Sequence, residues 1–211
     1  MTKKLFIICT LSILLVFSPA FSHKKDYLLY LTQAKNLIKK HEYQKALDLI
    51  SKATAEEPRS IEVLFLKGTL HIRLDQSDDA VHAFQRVITL DPKNYKAYAA
   101  LGCLSIANNY THSMSLFQIA ESLAPKDPQI ILTKALALAI IKRPEESKKE
   151  ITKAMSIAPP TSKTFYRISM IYMFLENYNK ALQYINKATK LNPTPGALRV
   201  KRAILKIQRK K

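Results

Sequence analysis

The residues of this 211-residue chain that could do covalent or metal chemistry are five histidines, two cysteines and sixteen acids. His23, His41, His71, His82 and His112 lack the paired spacing with which two imidazoles on neighbouring helical turns hold zinc. His41 is the one histidine followed by an acid, Glu42, and no second histidine stands four residues further on. His71 reads as a core or interface histidine. Cys103 has no identifiable base partner that would make it a nucleophile, and three glycines leave no loop to cradle a phosphate. The chain is therefore read as a non-enzyme with no cofactor or metal, and its chemistry as that of binding.

Charge offers one binding surface. The chain carries 34 Lys and Arg against 16 Asp and Glu, a net +18. From residue 151 onward there are 13 Lys or Arg and one acid, Glu176, whereas residues 23–150 hold 19 basic and 15 acidic residues. A basic end of this kind attracts an anionic membrane surface, an acidic protein or another polyanion. Its candidate residues are Arg199, Lys201, Arg202, Lys206, Arg209 and Lys210; the plainer account is a solvated terminal helix. Nucleic acid is not the expected partner, because no base-reading motif accompanies the charge.

The elements that must position these residues are helices. Within Ile61–Asn94, Leu64, Gly68 and His71 fall one turn apart, and Ala80, Phe84 and Val87 do the same on a second segment ending at Asp91-Pro92. Sliding this template along the chain meets Pro58, Pro92, Pro125, Pro159 and Pro193, at intervals of 34, 33, 34 and 34. Such a period is the mark of a helical repeat array, and each proline stops a second helix. The repeats are 27–60, 61–94, 95–127, 128–161 and 162–195. The third is one residue short, and intact spacings on both sides place the deletion in the turn around Asn108-Asn109, where a shortened turn disturbs no packed face. Asp75 or Ser77 is expected to cap the second helix of repeat two. Small residues at Ala34, Gly68, Gly102, Ala135 and Ser169 let each first helix approach a neighbour, while Ile50, Phe84, Phe117, Ile151 and Ile185 fill the space between pairs. Residues 196–211 form a basic capping helix, with Ala197, Val200, Ile204 and Ile207 on one face.

The first 22 residues follow another grammar. Lys3 and Lys4, an apolar core from Leu5 to Phe17, and Ala20-Phe21-Ser22 read as a secretory signal peptide cleaved before His23. Its apolar run is short of the roughly 20 residues of a spanning helix, with an uncleaved membrane anchor as the alternative. Export to a periplasm or out of the cell is the expectation. Cleavage removes Cys9 and leaves Cys103 alone, so no intrachain disulfide can form and the helical core must hold the fold.

With these positions in hand, the chain resembles the tetratricopeptide repeat family over residues 27–195. That family has a 34-residue helix-turn-helix with large, small and aromatic positions on helix A, small, large and small ones on helix B, and a closing proline. The departures are the absent tryptophan, Pro144 where other copies carry Tyr43, Tyr110 or Tyr178, and Ser113 and Ser147 in place of alanine. The resemblance implies an all-α, right-handed α-solenoid of five repeats whose concave face, lined by helix A, binds a protein or peptide. The groove positions it implies are Leu31, Phe65, Thr69, Ile72, Leu132, Leu136, Tyr166, Met170 and Met173, an apolar strip suited to an amphipathic helix or apolar peptide. The basic clamp with which some relatives hold a terminal carboxylate is incomplete: its places carry Leu31, Lys35 and Leu66, and only the last repeat supplies Lys163 and Arg167.

Overall fold

The computed structural model describes residues 20–157 and 159–209, and among these every regular element is an α-helix. Residues 1–19, which hold most of the expected signal peptide, lie outside the described residues. The first helix, α1, begins at Ala20 and runs past the expected cleavage point. The chain divides into two compact units, residues 1–90 and 91–211. The first contains α1 (Ala20–Lys39), α2 (Tyr43–Glu56), α3 (Ile61–Arg73) and α4 (Ser77–Leu90). The second contains α5 (Tyr95–Ser105), α6 (Tyr110–Leu123), α7 (Pro128–Ile140), α8 (Pro144–Ile157), α9 (Ser162–Phe174), α10 (Tyr178–Leu191) and α11 (Pro195–Gln208).

Short polar side chains set the helix starts. Ser60, Asn94, Asp127, Thr161 and Thr194 each accept a hydrogen bond from a backbone N–H in the first turn of α3, α5, α7, α9 and α11. That satisfies one of the donors a helix N-terminus leaves free. Four of these caps stand two residues after a repeat-closing proline, a second periodic signal in the sequence. Each second helix ends two residues before its proline, as at Leu90 and Pro92. The capping helix begins at Pro195, one residue before the expected boundary, because a proline at the first helical position has no N–H to satisfy.

The turns within repeats follow one rule with one exception. In repeats one, two, four and five the N–H of Glu42, Gln76, Arg143 and Asn177 donates to the carbonyl five residues earlier, at 2.9–3.0 Å. The intervening residue is left-handed: His41, Asp75, Lys142 and Glu176 have φ of 63°, 62°, 62° and 55°. This is a Schellman closure built without glycine. In repeat three Asn109 donates instead to Ser105, four residues back, at 2.8 Å, and no left-handed residue occurs. The residue that repeat lacks is therefore the left-handed one. The same geometry corrects the capping expectation for Asp75, which occupies the left-handed position ahead of α4; Ser77 is already the first helical residue.

Packing within each helix pair depends on matched sizes. An added Cβ at Gly68 would lie 2.8 Å from Phe84 Cζ, and one at Gly102 would lie 3.0 Å from Phe117 Cε2. Where helix B carries Ile50, Ile151 or Ile185, the partner position holds Ala34, Ala135 or Ser169, all without solvent exposure. The serines that depart from the family pattern are buried and bonded across the pair. Ser113 Oγ donates to Gly102 O and Ser147 Oγ to Ala135 O, each at 2.7 Å. In repeat five the direction reverses, and Ser169 of α9 donates to Ala181 O of α10 at 2.9 Å. Each hydroxyl thus reaches a backbone acceptor, which offsets its burial.

Repeats three and four of the second unit are also joined by charge. Lys134 of α7 lies 3.4 Å from Glu121 of α6 and 2.9 Å from Glu150 of α8, and Lys153 pairs with Glu121. Burial pushes the Lys134 ammonium down, but the Glu150 hydrogen bond and the two carboxylates outweigh it and hold its pKa above the usual lysine value. At the end of the unit, α11 packs on α10 through Ala197 and Ile204, both buried, with Val200 beside them. Gln208 Nε2 donates to Asn179 Oδ1 at 2.8 Å and ties the far end of the cap to the start of α10.

Candidate functional site

The apolar positions assigned to a groove divide by unit and by burial. In the first unit, Ile72 is exposed near the end of α3. Phe65 is half-buried, with its ring edge-on to Phe84 at 5.2 Å, and Thr69 Oγ1 donates to Phe65 O at 2.9 Å. In the second unit, α7 and α9 pack side by side and bring Leu136, Tyr166, Met170 and Met173 to a half-buried state. Leu136, Tyr166 and Met173 lie over the core of Ile131, Ile168 and Ile171. Two expected groove residues belong to the core instead. Leu31 is 3% exposed and clusters with Val63 and Leu70 of α3, while Leu132 is 0% exposed and clusters with Ile168 and Ile171 of α9. In both cases the next first helix covers the position.

The same face of the second unit carries a cation that reading by apolar pattern passes over. Arg167 of α9 is half-buried, and its Nη2 donates to Thr133 Oγ1 of α7 at 2.6 Å. Among the described residues it forms no ion pair with a carboxylate. Burial pulls its pKa below the usual arginine value, and the nearby Cys103 and Asp127 pull the other way. Cys103 feels the reciprocal effect: burial pushes its thiol up to about 11, with the Arg167 charge opposing. Five N–H donors on a planar fork, with one engaged by a hydroxyl, suit a carboxylate or a row of carbonyl oxygens. The spacing that could have revealed the pairing is 34 residues, since Thr133 and Arg167 occupy the same repeat position.

The rest of the carboxylate clamp stays incomplete. Lys35 is engaged by Glu62 at 2.6 Å, and Lys163 is exposed. The basic C-terminal set is placed on α11, where Arg199, Arg202 and Lys206 are exposed, Arg209 is exposed at its end, and Lys201 is half-buried; Lys210 lies outside the described residues. His71 is 8% exposed, with Nδ1 2.7 Å from Gln76 Oε1 and 3.9 Å from Asp79 Oδ2. Among the described residues no three His, Cys, Asp or Glu side chains are grouped to hold a metal ion, and no helix is long and apolar enough to cross a membrane.

Comparison with known proteins agrees with this geometry. Residues 37–102 and residues 162–195 each match the tetratricopeptide repeat family. The DnaJ homolog subfamily C member 7 homolog of Dictyostelium discoideum is 28% identical over 205 residues, covering 89% of this chain and 38% of that protein. The chain thus spans well under half the length of that relative. TTC0263, a thermophilic TPR protein of Thermus thermophilus, superposes with a TM-score of 0.69 at 19% identity, over 85% of this chain and 98% of that one. YrrB, a TPR protein with an unusual peptide-binding site, superposes with a TM-score of 0.50 at 20% identity, over 89% and 98%. The fold is that of a protein–protein interaction scaffold in general, and the chain belongs to the tetratricopeptide repeat family.

Proposed function

We propose that the protein is a non-enzymatic adaptor, acting after export, that holds an apolar or amphipathic segment of a partner protein on the first-helix face of its second unit. The supporting observation is the half-buried surface of Leu136, Tyr166, Met170 and Met173 beside Arg167, a guanidinium with no carboxylate partner among the described residues. Met and Tyr adapt to varied apolar side chains, and the cation adds a preference for a segment bearing an acidic side chain. YrrB, which shares the fold, carries a peptide-binding site, in keeping with binding as the use of such a surface. The export part rests on the sequence of residues 1–22 alone.

The test is capture of partners from native extract with wild type, with Leu136→Glu plus Met170→Glu, and with Arg167→Gln, each first checked for folding by circular dichroism. Capture by wild type at high salt, lost in the double variant and weakened in Arg167→Gln, supports the reading. Capture that survives the double variant refutes it.

A further inference from the structure

The last helix carries a charged stripe that the proposed binding face does not use. Successive residues on a helix turn by about 100°, so Arg199, Arg202, Lys206 and Arg209 share an arc of about 80° nearly opposite the buried Ala197 and Ile204. All four are exposed, and none forms an ion pair among the described residues. Among the described residues the one side-chain hydrogen bond in the stripe is Arg202 Nε donating to Leu198 O at 3.4 Å. No acid follows Glu176 in the sequence, Glu176 itself pairs with Lys142, and the earlier Glu121, Glu145, Glu146 and Glu150 pair with Lys134, Lys148, Arg143 and Lys153 rather than with the stripe. Two exposed leucines stand close to it in the chain. Leu198, beside Arg199, is 38% exposed, and Leu191, beside the exposed Lys190 at the end of α10, is 59% exposed.

We propose that α11 and the adjoining end of α10 dock on an anionic phospholipid bilayer, independently of the peptide face. The stripe is straight and runs about 15 Å along the helix, which suits a flat array of phosphates. Guanidinium forks bind phosphate oxygens in pairs. Leu191 and Leu198 take places at headgroup level, where apolar side chains beside basic ones strengthen binding. A nucleic-acid backbone or a polyacidic peptide would meet the same charges but give the two leucines no apolar partner. The bilayer uses both.

The experiment is flotation of the full chain with vesicles of phosphatidylcholine alone or mixed with phosphatidylglycerol, at low and high salt. Circular dichroism confirms that Arg199→Gln, Arg202→Gln, Lys206→Gln, Arg209→Gln keeps its fold, since all four side chains point away from the packing. Wild type is expected to float with the anionic vesicles at low salt, and the quadruple variant to lose about tenfold or more in affinity. Arg199→Gln plus Arg202→Gln alone gives an intermediate loss, and serves if the quadruple variant is unstable. Any binding by the apolar N-terminal segment is read from the neutral vesicles, where variant and wild type are equal. The proposal is overturned if neutral and anionic vesicles bind wild type alike, if the charge variants bind anionic vesicles as wild type does, or if duplex DNA or polyglutamate binds more tightly at the same salt.

Discussion

Replacing Gly68 by alanine sets two effects of known size against each other. Alanine is favoured over glycine inside a helix by about 1 kcal/mol. Against that, the new methyl would sit 2.8, 2.9 and 3.0 Å from Cζ, Cε1 and Cε2 of Phe84, well inside van der Waals contact. Phe84 is 1% exposed and held edge-on by Phe65, so its ring has no open side to move toward. Overpacking of this kind costs about 1–3 kcal/mol, with the upper half of that range expected where three ring atoms are met at once. The net expectation is a loss of about 1–2 kcal/mol, seen as a lower urea midpoint with an unchanged slope. Gly196→Ala is the control, because its Cβ would meet nothing within 4 Å, and it should be neutral or stabilising. Phe84→Ile alone leaves a void. The double variant Gly68→Ala, Phe84→Ile recreates the size pairing of Ala34 with Ile50 and of Ala135 with Ile151, so the two changes should couple favourably by about 1 kcal/mol or more. A Gly68→Ala protein stabilised to the extent of helix propensity, or a strictly additive double variant, would refute the size-matching argument.

Three further expectations follow from the backbone and from burial. Lys142→Gly removes a side chain from a left-handed residue and should stabilise by about 0.5–1 kcal/mol in urea unfolding, since the lost pair with Glu176 is exposed on both sides and contributes little; a destabilised variant would show that the turn carries no such strain. Cys103, with its thiol raised to about 11, should react with disulfide reagents much more slowly at pH 8 than a free cysteine, and reach full reactivity only on unfolding. The sign of the linked stability follows: the unfolded thiol ionises first, so this residue's contribution to stability falls as pH rises from about 9 to about 11. A pH titration of stability that is identical in Cys103→Ala would contradict it.

Much of this molecule is a local property of its chain. Helix pairs, their stops at Pro58 through Pro193, the small and large positions, and the amphipathic cap all follow from side-chain spacing at the helical period and from proline's missing N–H, so they are legible without a fold. The short third repeat is legible too, although it takes the backbone to see that the missing residue is the left-handed one. What neighbours decide is not legible in the same way. Leu31 and Leu132 have the spacing of groove residues, but a following helix lies over them and they become core. Ser113, Ser147 and Ser169 look like small-residue variants until the approach of two helices supplies each hydroxyl with a carbonyl. Arg167 is legible as part of an incomplete clamp, but its hydrogen bond to Thr133 and its position halfway out of water depend on how closely α7 and α9 pack. Periodicity assigns a side chain to a face of its own helix; whether that face meets solvent, backbone or another side chain depends on the distance to a helix some 30 residues away, and that distance is set by all the core contacts together.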